Sequence, residues 1–397
     1  MDSTFPGPIP MSAKPVVLPF SMLKPHTCVA SPRPMRHLSV PSAQTSYWIQ
    51  RCKSNGWYAT GHRVQRVGDE TAIPLNDDAP DETDSIWEDL PIIERDASKK
   101  KARYYWEHIP SQTRHLYNDE FPQAFETQGD VLLLKIPEEM SEIEDEIAQA
   151  MLQQFPSIRV VCHDEGVEGE FRVRNLRVLK ARNDNTSTQT QYREHGHTFL
   201  IDPAVAYFST RLSTQRMRTF EAVSSFQEKK ERPLVIVDPY AGVGPSMALL
   251  YTDSNLVSNA YVNDLNPEAI SILKQNMELF HSKRKHEGTY TTECMDARKI
   301  ADERPEMMGC ADVLLVNLPH DSIAHLPHLF PLLSDETSLV CGWSIQERST
   351  DILNQLQSTL LESGRTMLNH TIEEVKGFST TKAIFRYELV LSKKYKR

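Results

Sequence analysis

Short strand-like runs recur along the second half of the chain with helical patterns between most of them. The runs are Leu234–Val237, Ala260–Val262, Thr289–Glu293, Asp312–Asn317, Ser338–Trp343, Thr366–Val375 and Ala383–Leu391. The first is continuous and rich in β-branched residues, which suits a parallel strand buried on both faces. The last two runs have no helical spacer, so they predict a terminal hairpin and one antiparallel strand in an otherwise parallel sheet. Residues 204–397 therefore read as an α/β, Rossmann-like domain.

Upstream the periodicity changes. Gly129–Ile136, Ile158–Cys162 and Arg172–Leu179 read as strands, and Ser141–Phe155 as an amphipathic helix opened by Ser141 with Glu144 three residues on. These predict a small α+β domain over 118–203, expected to bind RNA or substrate. Residues 46–117 are more variable. Trp48, Trp57 and Tyr58 cluster there, His62–Val67 is strand-like, Asn76–Asp89 reads as an acidic linker or exposed loop, and Lys99–Tyr117 reads as helical. Residues 1–45 hold nine prolines up to Pro41 and a single acid, Asp2. That composition predicts either a disordered extension or an organelle-targeting peptide.

Composition narrows the function classes. At 397 residues the chain can bury two or three cores. No apolar run approaches the roughly 20 residues that span a bilayer, so a membrane helix is excluded. The six cysteines are scattered without a C-x-x-C pair and read as reduced thiols. His320, His325 and His328 lie close in sequence but lack a carboxylate or thiolate at ligand spacing, so no metal site is expected. A net charge of −10 opposes indiscriminate nucleic-acid binding. Local basic stripes at Lys99–Arg103, at Arg172, Arg174, Arg177, Lys180 and Arg182, and at Lys393–Arg397 leave room for a structured RNA partner.

The chemistry collects where strands end. After Leu234–Val237 comes Asp238-Pro-Tyr-Ala-Gly-Val-Gly-Pro245, in which Gly242 and Gly244 allow a sharp turn close to a ligand. The next strand closes at Asn263-Asp264, with Pro267 opening a helix. Such an order holds an adenosine, the second carboxylate accepting from the ribose hydroxyls. The missing third glycine and the Asp at the first strand tip favour S-adenosylmethionine over a dinucleotide, since no pyrophosphate needs seating. Asp296 is expected to accept from an adenine amino group, and Asn317, held by Pro319, to aim its carbonyl at a substrate nitrogen. Ligands in open α/β sheets sit at these carboxyl ends.

Four segments together resemble the archaeal and eukaryotic tRNA (guanine-N1)-methyltransferases, which act on guanosine 37 just 3′ of the anticodon. They are Asp238–Pro245, Asn263–Pro267, Asn317–Pro319 and Tyr207-Phe-Ser-Thr-Arg-Leu-Ser-Thr-Gln-Arg216, within a likeness spanning residues 118–397. The wybutosine-synthesis enzyme, which transfers an aminocarboxypropyl group from the same cofactor, shares that architecture. The resemblance implies a class I fold. It also implies cofactor contacts from Arg216, Asp264-Leu265, Asp296-Ala297 and Asn317, and guanine contacts from Asn317. Arg172 matches an arginine that stabilises negative charge on guanine O6. Where the family has a glutamate acting as general base, this chain has Gln215, which cannot take the N1 proton. Glu194 and Glu221 are the substitutes considered.

The expected activity is thus N1-methylation of guanosine in tRNA. Aminocarboxypropyl transfer is the alternative, and a non-catalytic RNA-binding relative is the third reading. The expected protein is a monomer without metal in the cytoplasm or nucleus, or in the mitochondrial matrix if the N-terminus is a targeting peptide.

Overall fold

The computed structural model describes residues 34–393, except Lys99, Lys101, Asp119, Glu170, Asp253 and Ser254. The chain divides into two compact units, one ending at Lys101 and the other beginning at Ala102. The expectation of disorder or targeting falls mainly on residues outside the described ones. Its last part does not hold, because Pro34–Pro41 is a strand and Thr45–Ser54 a helix.

That strand lies inside an antiparallel sheet ordered Gln65–Val67, Glu70–Pro74, Pro34–Pro41, Ile92–Asp96. Leu38 and Val40 pack with Trp48, Ile73 and Trp87. The two prolines stand at its ends, where a missing N–H costs little. Averaging composition over 45 residues hid the apolar stretch between them. The acidic stretch 76–89 is not a linker either, since Trp87 within it is 1% exposed and anchors the same core.

In the second unit the small domain has a sheet ordered Phe125–Gln128, Val131–Leu134, Val160–Glu168, Val173–Ala181. Helix Glu144–Gln154 covers it, burying Ile147 and Met151 against Leu132, Leu134 and Val161. Ser141 falls in a preceding 3-10 turn, Glu138–Ile143, and caps nothing. Among the described residues, the region before this domain forms a 3-10 turn, Tyr105–His108, and the short helix Ser111–Leu116, with Pro110 dividing them. The hairpin Thr190–Glu194/His197–Ile201 leads onward.

The large sheet has seven strands: β1 (Leu234–Asp238), β2 (Val257–Asp264), β3 (Thr289–Cys294), β4 (Val313–Val316), β5 (Ser338–Glu347), β6 (Arg365–Gly377) and β7 (Lys382–Lys393). Their order is β3-β2-β1-β4-β5-β7-β6. The first five run parallel, and β7 pairs antiparallel with both β5 and β6, as the missing spacer predicts. Helices α1 (Ser213–Lys230), α2 (Pro245–Leu250), α3 (Pro267–Lys283), α4 (Ser322–Leu329) and α5 (Ile352–Leu361) accompany it. Successive residues of β1 enter different cores, Ile236 one and Val237 the other, so the sheet is covered on both faces. The strand order reverses between β1 and β4, which opens the crevice where such sheets take ligands.

Candidate active site

β1 ends at Asp238, which is 1% exposed. Its carboxylate accepts from the Tyr240 amide at 3.3 Å and from Asn317 Nδ2 at 3.3 Å to each oxygen. Burial, reinforced by the charge of Asp264, pushes its pKa up to about 7 against those hydrogen bonds. The switch point of the sheet is thus bridged by a carboxyl from β1 and an amide just beyond β4.

The glycines of the turn do different work. Gly242 has φ +55°, and a Cβ built there would meet nothing nearer than the Tyr207 carbonyl at 3.8 Å, so the space before it is open. Its N–H donates to Asp264 Oδ2 at 2.8 Å, while Oδ1 accepts from the Asn266 amide at 3.0 Å. Burial raises the Asp264 pKa as well, opposed by backbone donors. Gly244, at φ +79°, serves packing: a Cβ would lie 2.6 Å from Leu273 Cδ1 on α3.

Leu265 stands 42% exposed beyond β2, and Ala297 beyond β3 is buried. Asp296 does not present a free carboxylate. Arg298 grips it, with Nη2 at 2.6 Å and Nε at 3.0 Å, and this pairing holds its pKa down at about 2. Arg216 is likewise engaged elsewhere: its Nε and Nη2 donate to the two oxygens of Glu194 at 2.6 Å each, and its guanidinium lies 5.2 Å from the Phe208 ring. Glu194 is therefore tied up as an ion-pair partner. Glu221 is exposed, more than a turn further along α1 than Gln215. The amide Oε1 of Gln215 is buried with no hydrogen-bond partner among the described residues.

The expected basic face on Val173–Ala181 is mostly neutralised. Arg174 bonds Glu126 and Asp164, Arg177 bonds Glu144 and Glu165, and Lys180 bonds Asp145. Arg172 differs. It sits at the hairpin tip with φ +54°, exposed, and its guanidinium makes no hydrogen bond or ion pair among the described residues. It lies close enough to His320, three residues after Asn317, to help lower that imidazole's pKa, where burial is the larger cause. The small domain thus brings a free cation to the carboxyl end of β4.

Two residues gain roles that the sequence reading did not give them. Asn263 is fully buried, and its amide donates to the Pro239 and Met295 carbonyls while its Oδ1 accepts from the Met295 amide, each at 3.0 Å. It thereby fastens the ends of β1, β2 and β3 together. An asparagine closing an apolar strand was the available signal, overshadowed by its neighbour Asp264. The other is Tyr240, whose hydroxyl lies 2.6 Å from His325 Nδ1. Among the described residues no three His, Cys, Asp or Glu side chains converge on a metal position, and no helix is long and apolar enough to cross a membrane.

The strand order, the terminal hairpin and the acidic strand ends around a glycine turn define a class I methyltransferase-type domain. Residues 190–348 match the TRM5/TYW2 methyltransferase domain, and residues 107–182 match the TYW2 N-terminal domain. The chain thus carries a TRM5/TYW2-type methyltransferase domain behind a TYW2-type N-terminal domain. It is 29% identical over 228 residues, 57% of this chain and 60% of the relative, to tRNA (guanine(37)-N(1))-methyltransferase Trm5b of Pyrococcus abyssi. It is 30% identical over 224 residues to Trm5b of Methanocaldococcus jannaschii, spanning 55% of this chain and 62% of the relative. The chain thus spans about three fifths of the length of these two curated relatives. The crystal structure of Pyrococcus abyssi Trm5b superposes with a TM-score of 0.57 at 22% identity, covering 90% of this chain and 99% of that one. Pyrococcus horikoshii TYW2, in complex with MeSAdo, superposes with a TM-score of 0.53 at 16% identity, over 71% and 98%. Both share the fold.

Proposed function

We propose that this protein is an S-adenosylmethionine-dependent tRNA modification enzyme that methylates N1 of guanosine 37. The observation that carries the reading is the unpaired Arg172, which the small domain holds near enough for its charge to be felt at His320, just beyond the Asn317 end of β4. The names of the relatives, tRNA (guanine(37)-N(1))-methyltransferases, support the same reading. So does a solved complex of aTrm5 with tRNALeu, whose protein shares the fold with a TM-score of 0.58 at 21% identity over 89% of this chain and 99% of that one.

The residues present fit the cofactor. The space before Gly242 is open, Asp264 stands at the end of β2, and Leu265 offers an exposed apolar face beside it. When bound, S-adenosylmethionine supplies an electrophilic methyl group on a sulfonium. Gly242, Asp264 and Leu265 would hold its nucleoside, with Ala297 leaving room. Asp296 and Arg216 would act through their partners Arg298 and Glu194.

On the substrate side, removing the proton from guanine N1 throws negative charge onto O6. A fixed guanidinium is most useful there, and Arg172 is free to give it. Asn317 would hold the base from β4, its orientation set by Asp238. The base must leave its stack to reach this point. We assign the activity to a monomer in the cytoplasm or nucleus, or in the mitochondrial matrix if the N-terminus directs import, with tRNA as partner.

Two observations favour a second reading, aminocarboxypropyl transfer. The small domain matches the TYW2 N-terminal domain, and the position of the family glutamate holds Gln215. The readings separate when purified protein is given cofactor labelled in the methyl or in the carboxyl carbon, together with tRNA bearing either guanosine or a tricyclic base at position 37. Methyl label recovered in 1-methylguanosine after nuclease digestion supports the first; carboxyl label appearing only in a tricyclic base supports the second. Transfer of neither label refutes both.

A further inference from the structure

The N1 proton of the target guanine needs an acceptor, and the position that resembles the family's base is an amide. The nearby carboxylates do not replace it. Glu194 is held by Arg216 through both oxygens, and Glu221 is exposed further along α1. Glu126 and Asp164 are each bonded to Arg174. Asp238 is buried against the Asn317 amide, which already donates to both its oxygens.

Resting on the methyltransferase reading above, we propose that His320 is the catalytic base that takes the guanine N1 proton in this enzyme. It follows Asn317-Leu-Pro319 directly, and the Pro319 carbonyl accepts from the Ile345 amide of β5 at 2.7 Å, which fixes the loop that presents the ring. The ring packs edge-on against Phe378 of the β6–β7 hairpin, with centroids 5.8 Å apart. Neither ring nitrogen makes a hydrogen bond among the described residues. His320 also lines an open cleft of about 500 Å³ together with Gln346 and Asn354.

Its neighbours set its protonation. His320 is exposed, yet partial desolvation of its ring is the first cause that lowers its pKa, and the positive charges of Arg172 and Lys382 act the same way, against Asp321, which raises it. The imidazole is thus neutral at physiological pH and able to accept a proton. Arg172 serves twice, since its charge helps disfavour the imidazolium of His320 at rest and faces the O6 charge created when the proton leaves. O6 is carried by C6, the ring neighbour of N1, so a base near the O6-binding cation is within reach of N1. In the balanced step, the N1 proton passes to a ring nitrogen of His320 and the freed pair on N1 forms the bond to the methyl carbon. The carbon–sulfur pair leaves with sulfur as a neutral thioether, and the imidazolium returns its proton to water.

The test compares wild-type protein with His320→Gln and His320→Ala under single-turnover conditions across pH 5 to 9, reading 1-methylguanosine. The affinity of each for tRNA and for S-adenosylhomocysteine is measured beside it. The wild-type rate should rise tenfold per pH unit at the acid end and level off below about pH 6.5, the ordinary histidine value. Both variants should lose that limb and fall about 10²- to 10⁴-fold at neutral pH, with affinities unchanged. Proton NMR of the unliganded protein gives a readout independent of turnover: the resonance missing from His320→Gln should titrate below the ordinary histidine range, and move up in Arg172→Ala. A variant within threefold of wild type, or a variant that keeps the acid limb, overturns the proposal; the second result points to Asp238. If wild-type protein forms no methylguanosine although it binds S-adenosylhomocysteine, the methyltransferase reading itself has failed and this proposal falls with it.

Discussion

The pair between Arg216 and Glu194 gives the sharpest test of how the site is built. The side chains are 9% and 5% exposed, and two charge-assisted bonds of 2.6 Å join them, with a third from Arg216 Nη2 to the Ser209 carbonyl at 3.1 Å. Replacing Arg216 by Met keeps the apolar stem but leaves a carboxylate buried without a partner. Breaking a buried pair in this way costs about 3–5 kcal/mol. Replacing both, as Arg216→Met with Glu194→Leu, removes the stranded charge, so the double variant should be more stable than the Arg216→Met single. The coupling expected for contacting residues is about 0.5–3 kcal/mol, and this pair belongs at the upper end because neither charge has solvent to fall back on. Urea denaturation of the full chain, followed by hydrogen exchange in peptides spanning residues 190–230, reads the unit in question. A cost below about 1 kcal/mol for Arg216→Met, or strict additivity in the double variant, would refute the account. The same protein carries a second readout. If Arg216 acts on the cofactor only through Glu194, then Glu194→Gln should weaken binding of S-adenosylhomocysteine about as much as Arg216→Met does.

The remaining predictions follow from single geometries. Asp238, with its carboxyl moved from 3.8 to about 7, binds its proton more tightly folded than unfolded; its contribution to stability is complete below the unfolded value and is lost as pH rises through about 7. That loss totals about 4 kcal/mol, so Asp238→Asn should flatten the fall in stability between pH 4 and 8, and an unchanged pH profile would contradict the assignment. Gly244→Ala should destabilise by about 1–3 kcal/mol, because a left-handed φ and the Leu273 contact both oppose a Cβ, as thermal melts would show. Gly242→Ala should cost about 1–2 kcal/mol of stability from its φ alone and weaken cofactor binding in calorimetry, since its Cβ would project into open space; unaltered affinity would place the cofactor elsewhere. Arg172→Ala should raise the barrier to transfer by about 2–4 kcal/mol in single-turnover assays while leaving cofactor affinity nearly unchanged, and a comparable loss of cofactor affinity would show it faces the wrong ligand.

What the chain alone determined was periodic. Seven strand-like runs, the missing spacer before the last and the turn residues after the first two prescribe the sheet and its antiparallel β7, because the burial of central strands and tight turns each leave a local mark. The acidic strand ends were legible for the same reason. The partners of those charges were not, because charge pairing joins residues far apart in sequence. Arg216 looks like a pocket arginine until Glu194 closes on it, and Asp296 looks like an adenine acceptor until Arg298 occupies it. In the stripe from Arg172 to Lys180, Arg174, Arg177 and Lys180 are neutralised by acids of neighbouring elements, which leaves Arg172 free. His320 changed most: in sequence it was one of three closely spaced histidines without a ligand set, and only folding sets it beside Phe378 and within reach of the Arg172 charge. Periodicity fixes which face of an element is buried, but the electrostatic state of a side chain depends on what the other elements bring beside it.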